Sequence, residues 1–294
     1  MGPLPVTGGR VPSAPWVESV SEFLQRPTAS CTVVDTRDRL RFALRHIPGA
    51  VRLSWLSYRD GRGRTGKLPA DLTRVRRELV VRGITADRPV VVVGDASGRG
   101  EDGRVAWMLR YLGYHDTRVL DGGWDGYRSL RRLQGAAGQG ARSRAWDQSM
   151  PVAPAAALSG ELRASIDDVQ KAIEPGSDVL LLDTRSPAEW NGSGRYWPPR
   201  TGRIPGASHL WFRDLLDRRG CLDRSPGLME RLSRLGATPE RAIITYCVAG
   251  VRSAHALVML RALGFRNVRN YDGSWYEWSA DRSRPIEHAP RETR

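Results

Sequence analysis

The chain carries the same landmarks twice, in the same order, and that repeat limits its fold more than any other feature. Thr32-Val33-Val34-Asp35-Thr36-Arg37 returns as Val179-Leu180-Leu181-Leu182-Asp183-Thr184-Arg185, with the same Asp-Thr-Arg end. Ile47-Pro48-Gly49-Ala50 returns as Ile204-Pro205-Gly206-Ala207, and residues 82–88 return as 235–241. Leu112-Gly113-Tyr114 is matched by Leu263-Gly264-Phe265, and Asp121-Gly122-Gly123-Trp124 by Asp272-Gly273-Ser274-Trp275. Five matched landmarks in one order identify a duplicated domain.

Within each copy, strand-like and helix-like stretches alternate. Pro89 to Gly94 is rich in β-branched residues, the composition of a strand buried on both faces. Asp102 to Leu112 reads as a helix with Val105, Met108, Leu109 and Leu112 on one face. Asp71 to Arg82 reads as a further helix, Val17 to Leu24 as a short one, and Val119 to Trp124 as a strand with a Gly-Gly turn. In the second copy Ser165 is placed to cap a helix running to Ile173, with Asp168 three residues on. Such alternation predicts an α/β fold with a mainly parallel sheet flanked by helices in each domain. The expected boundaries are a loose lead-in over 1–15, a first domain over 16–134, a Gly/Ala/Pro-rich linker over 135–160 and a second domain over 161–288.

The chemistry concentrates at Ile243-Ile244-Thr245-Tyr246-Cys247-Val248-Ala249-Gly250-Val251-Arg252-Ser253. An apolar run delivers a cysteine into a short loop that opens directly into a helix. Loop N–H groups and a helix N-terminus then converge on one spot and favour negative charge there. A thiol so placed ionises more readily and becomes a nucleophile. Four residues separate Cys247 from Arg252. Cysteine-dependent phosphatases need five there to wrap a phosphate, so the tighter loop suits one sulfur atom.

This cysteine loop, the Asp-Thr-Arg and Ile-Pro-Gly-Ala repeats, and the Asp-Gly-Ser-Trp turn together resemble the two-domain rhodanese family of sulfurtransferases. That group includes thiosulfate and 3-mercaptopyruvate sulfurtransferases. The resemblance implies two tandem rhodanese-like domains and an active site facing the domain interface. It further implies a ping-pong reaction in which a Cys247 persulfide forms from a donor and is emptied by cyanide or a thiol. The N–H groups of Val248, Ala249, Gly250, Val251, Arg252 and Ser253 would stabilise the thiolate and persulfide, with Arg252 adding a positive charge. In the first copy Asp95 aligns with Cys247 in a loop one residue longer, so that domain is expected to be inactive.

Other side chains have weaker claims. Asp183 and Arg185 stand at a strand end near the loop, or pair with each other. The second copy has extra residues over 186–203, where the family implies an approach to the active-site mouth. Arg195, Arg200 and Arg203 there would bind an anionic donor, or form a solvated basic loop. Arg252 would also pin the loop to a carboxylate such as Asp183. His46 and Asp35 match positions near the active site of mercaptopyruvate enzymes, and a structural turn explains them as well. His255, Trp275 and Trp278 read as packing residues, and Cys221 as a bystander thiol. The donor is expected to be thiosulfate. Mercaptopyruvate enzymes carry Gly-Ser after the cysteine and an arginine six positions beyond the strand-end aspartate; here those positions hold Val248, Ala249 and Glu189. The alternatives are a 3-mercaptopyruvate sulfurtransferase and a carrier that hands sulfur to a partner protein.

Net charge is +14, but the arginines are scattered along the chain rather than gathered in one tract, which argues against nucleic-acid binding. A general positive field would still draw a small anionic donor. No apolar run approaches the roughly 20 residues of a membrane helix, and Met1 to Pro15 lacks the pattern of a secretion signal. Three scattered cysteines in no metal-binding or disulfide spacing fit a reducing cytoplasm. No metal or cofactor is expected.

Overall fold

The two Asp-Thr-Arg segments end strands in two separate parallel sheets of one plan. The structure is a computed structural model, and it describes residues 15–27, 30–61, 63–133, 157–194 and 198–288. The first sheet contains β1 (Val17–Ser19), β2 (Thr32–Asp35), β3 (Val51–Arg52), β4 (Val90–Val93) and β5 (Thr117–Asp121), in the order β1-β5-β4-β2-β3. The second contains β6 (Arg163–Ala164), β7 (Leu180–Asp183), β8 (Ser208–His209), β9 (Ile243–Tyr246) and β10 (Val268–Tyr271), in the order β6-β10-β9-β7-β8. Every pairing is parallel, as the alternating sequence required. The linker residues up to 156 lie outside the described residues.

Helices α1 (Val20–Gln25), α2 (Arg39–Leu44), α3 (Leu72–Val81), α4 (Glu101–Tyr111) and α5 (Gly123–Leu133) flank the first sheet. Their counterparts are α6 (Ile166–Ala172), α7 (Pro187–Trp190), α8 (Pro226–Arg234), α9 (Arg252–Ala262) and α10 (Ser274–Ala280). Caps set the starts: the Ser165 hydroxyl accepts from the Asp168 N–H while the Asp168 carboxylate accepts from the Ser165 N–H.

Three elements differ from the sequence expectation. Val17 to Ser19 is an edge strand in register with Val119 to Asp121, and α1 begins only after Ser19 caps it. The sheet edge overrides the helical spacing of those residues. Gly123 and Trp124 open α5 rather than ending a strand. Helix α4 is buried on every side from Asp102 to Tyr111, not on one face. It lies between its own sheet and α9 of the other domain, where Gly103 is essential: a Cβ there would collide with the Cα of His255. One continuous apolar core therefore runs from Val90, Val92 and Leu109 of the first domain to Leu257, Leu260 and Phe265 of the second.

Candidate active site

Strand β9 is fully buried and delivers Cys247 at the sheet's C-terminal edge, directly ahead of α9. Its backbone is gripped from α10: Trp275 N–H donates to the Cys247 carbonyl at 3.0 Å and Tyr276 N–H to that of Val248 at 3.0 Å. The Cys247 N–H donates to the Ser274 hydroxyl at 3.1 Å, and that hydroxyl donates to the Tyr271 carbonyl at 2.7 Å. Gly250 turns the loop at φ +73°, and a Cβ there would collide with the backbone of Asp272. The Ser253 hydroxyl stands 3.6 Å from Sγ and 2.7 Å from Asn270 Oδ1, so its single proton serves one of them at a time.

Cys247 is only 1% exposed. Burial pushes its thiol up. The Arg252 charge, the Ser253 N–H and hydroxyl, and the Ala249 N–H pull it down further, and the balance lies below the ordinary value.

Arg252 does not reach Asp183. It makes a two-pronged ion pair with Glu189, at 2.6 and 2.8 Å. Glu189 is itself held by Ser186, whose N–H and hydroxyl donate to it at 2.8 and 2.7 Å. Asp183 and Arg185 are buried and pair with each other at 2.6 Å, and Arg185 also donates to the Gly202 carbonyl. Asp35 and Arg37 repeat that fork at 2.6 Å in the first domain. The repetition marks it as a device that squares off the strand end. A cleft of about 320 Å³ lies beside the loop, bounded by Arg185, Glu189, Pro198, Thr201, Val248 and Trp275.

Arg200 and Arg203 of the insertion are engaged away from this cleft. The Arg200 guanidinium is taken up by the carbonyls of Ser279, Arg284, Trp278 and Asp281, and so locks the end of α10. Arg203 pairs with Glu287 at 2.5 Å. Arg195 lies outside the described residues. His46 is exposed and stacks on Phe42. His255 faces the first domain, 3.7 Å from Asp102. Cys221 abuts Gly122 of the first domain. Among the described residues, no cluster of three His, Cys, Asp or Glu side chains is placed to hold a metal ion.

Strand register corrects the alignment of the two loops. Thr36 N–H donates to Val93 as Thr184 N–H does to Tyr246, and Trp124 N–H donates to Gly94 as Trp275 N–H does to Cys247. Gly94, not Asp95, therefore occupies the cysteine position. Six residues (95–100) separate Gly94 from α4, against four (248–251) between Cys247 and α9, so the first loop is longer by two. Asp95 pairs with Arg41, and Arg213 of the second domain holds the Ser97 and Gly98 carbonyls at 2.7 and 2.8 Å.

The sequence reading missed what the first domain lends to the second. Residues 66–68 cross over the cysteine loop, so close that a Cβ on Gly66 would overlap the Ala249 carbonyl. Leu68 N–H donates to Asp272 at 2.9 Å, and Lys67 pairs with Glu277 at 2.5 Å. Arg104, in α4, donates to the Gly66 carbonyl. Ser274 was also missed, although the repeat carries a signal for it: the matching residue, Gly123, is a glycine with φ +54°.

Two tandem parallel α/β domains with a thiol seated at the base of one N–H-lined loop define a class of sulfur- or phosphate-handling proteins. The rhodanese-like domain profile matches residues 17–130 and again 165–281, and the chain belongs to that family. The thiosulfate sulfurtransferase of Corynebacterium glutamicum is 31% identical over 299 residues, covering 95% of this chain and 90% of that protein. The thiosulfate sulfurtransferase of Pseudomonas aeruginosa is 29% identical over 87% of this chain and 90% of its own. A sulfur carrier protein, TtuD of Thermus thermophilus, is 28% identical over 90% and 92%. Among solved structures, YnjE superposes with a TM-score of 0.76 at 24% identity, and EanB with hercynine with 0.75 at 24%. This chain spans 64% and 65% of those two proteins, and the likeness carries the fold.

Proposed function

We propose that the protein moves a sulfane sulfur from thiosulfate to a thiophilic acceptor through a persulfide on Cys247. The Cys247 thiolate attacks the outer sulfur of thiosulfate. A new S–S bond forms, the bond to the sulfonate sulfur breaks with its electron pair, and sulfite leaves as a dianion. The persulfide anion then gives its terminal sulfur to cyanide in an assay, or to a thiol in the cell, and the thiolate returns. The observation that carries this reading is the buried Cys247 thiol, drawn below its ordinary value by Arg252 and the loop N–H groups. The first domain, with a glycine at the matching position, forms no persulfide.

Glu189 supports thiosulfate over mercaptopyruvate. It lines the cleft at the position where mercaptopyruvate enzymes carry an arginine, so the cation that would bind a keto-acid carboxylate is replaced there by a carboxylate. The relatives named thiosulfate sulfurtransferase point the same way. The scattered free cysteines fit a cytoplasmic setting, and among the described residues no helix is long and apolar enough to cross a membrane.

The test is thiocyanate formation from cyanide with each donor, comparing the native protein with Cys247→Ser. Product from thiosulfate, abolished in the variant, is the expected result; product from mercaptopyruvate alone would reverse the donor assignment. A carrier role that hands sulfur to a partner protein is the second reading, favoured by the likeness to TtuD. It predicts slow turnover with cyanide and fast transfer from the loaded protein to a partner thiol.

A further inference from the structure

The charged side chains around Cys247 mostly cancel. Arg252 is matched by Glu189, Arg185 by Asp183, and Lys67 by Glu277. Arg163 meets Asp272 in a fork, with Nε at 3.2 Å and the second nitrogen at 3.0 Å. Arg104 is what remains. It is 1% exposed and, among the described residues, forms no ion pair of its own; the carboxylate whose field reaches it, Asp272, is already forked by Arg163, and the next negative group acting on it is Cys247. One terminal nitrogen holds the Gly66 carbonyl, the plane lies 4.5 Å from the centre of the Trp107 ring, and the other terminal nitrogen is buried with no hydrogen-bond partner. Burial pushes its guanidinium down to about 10, which leaves it charged at neutral pH. A buried cation without an anion is costly, and a fold that keeps one implies a negative charge nearby.

We infer that Arg104, contributed by the first domain, joins Arg252 as a buried countercharge of the Cys247 thiolate and of the persulfide formed on it. Gly66, whose carbonyl Arg104 holds, sits against Ala249 of the cysteine loop. Thiolate and persulfide each carry one negative charge, so the same cation serves throughout the cycle. The repeat supports the assignment independently. Arg104 lies eight residues before Leu112, and His255 lies eight before Leu263, so the two are counterparts in α4 and α9. Each helix sends this side chain toward the other domain's loop. Arg104 reaches the Gly66 carbonyl beside the cysteine loop, while His255 lies against Gly100 at the end of the first domain's loop and 3.7 Å from Asp102. Arg104 acts through the field at the sulfur and is a positioning residue.

The inference rests on Cys247 as the nucleophile. Its test is the pH dependence of Cys247 alkylation by iodoacetamide in the full chain, followed on the Cys247 peptide by mass spectrometry. Arg104→Gln keeps a donor for the Gly66 carbonyl and removes the charge. It is expected to move the alkylation midpoint up by about one pH unit, a tenfold slower reaction at a fixed pH below it. Arg104→Lys restores most of the shift. Asp272→Asn keeps an acceptor for Leu68 N–H, removes a negative charge, and moves the midpoint down. A native midpoint in Arg104→Gln, or a lysine variant shifted as far as the glutamine, would overturn the inference. If Arg104→Gln fails to fold, Arg104→Met, which removes the charge and keeps an apolar stem beside Trp107, decides: a raised midpoint supports the assignment, and a native midpoint sinks it. Alkylation needs no sulfur donor. A protein that shows these shifts and makes no thiocyanate would therefore keep the role of Arg104 and lose the sulfurtransferase reading.

Discussion

Ser274 adopts φ +52°, a left-handed backbone that costs a residue with a side chain about 1 kcal/mol or more. Its counterpart Gly123 adopts φ +54° without that cost. The strain is tolerated because the Ser274 hydroxyl receives the Cys247 N–H. Ser274→Ala keeps the strain and loses the acceptor, so thermal denaturation should show a loss of about 1–2 kcal/mol together with slower thiocyanate formation. Ser274→Gly should recover about 1 kcal/mol of that stability without recovering the rate. Glu189 makes a pH-dependent contribution. Burial acts to raise its carboxyl, while Arg252 and Ser186 lower it more strongly, so its folded value lies below the ordinary 4.5. A lowered value means the pair stabilises fully above the unfolded titration point and fades as pH falls through the folded one. Glu189→Gln should therefore cost about 3–5 kcal/mol at neutral pH, and the denaturation midpoints of the two proteins should converge as pH falls below the ordinary carboxylate range. The cysteine loop was legible because Cys247, Gly250, Arg252 and Ser253 fall within one stretch of seven residues, 247–253. Arg104 was not, because it meets the loop only through tertiary packing, 143 positions from Cys247. Arg200 misled because composition does not reveal that it is consumed by backbone carbonyls.

The segment 66–68 works as a strap laid by one domain across the cysteine loop of the other. Gly66 cannot accept a side chain, since the obstruction is the Ala249 backbone rather than a mobile side chain. Gly66→Ala should displace the strap, with a loss of about 1–3 kcal/mol in denaturant titration and a lower kcat. Equal stability and rate in that variant would mean that the strap does not bear on the loop. Nothing in residues 60–68 has the period of a helix or strand, so no local pattern could have singled it out. The central strands were legible for the opposite reason: β4 and β9 are continuous apolar runs bounded by polar corners. The three-residue β1 was hidden because its partner, β5, lies about a hundred positions away.

At the scale of the whole molecule, the duplicated sequence implies two units, yet the core does not divide between them. Helices α4 and α9 pack face to face, and each is buried on the side it would expose if the domains parted. Trp107 is fully buried and donates its indole N–H to the Leu162 carbonyl of the second domain at 2.7 Å. Asp121 accepts from Leu222 N–H at 2.7 Å while Asp272 accepts from Leu68 N–H at 2.9 Å, so each domain anchors the other's strap. A domain released from such an interface would bare a large apolar face and leave these acceptors unmatched, which opposes independent unfolding. The full chain should therefore melt in one calorimetric transition, with van't Hoff and calorimetric enthalpies in agreement. Trp107→Ala should lower its midpoint by the equivalent of about 3–5 kcal/mol and keep it single. Two resolved transitions in the native protein would mean that each half is stable without its twin. Cys247 would then owe its reactivity to the second domain alone, against the dependence on Gly66 and Arg104 drawn from the interface.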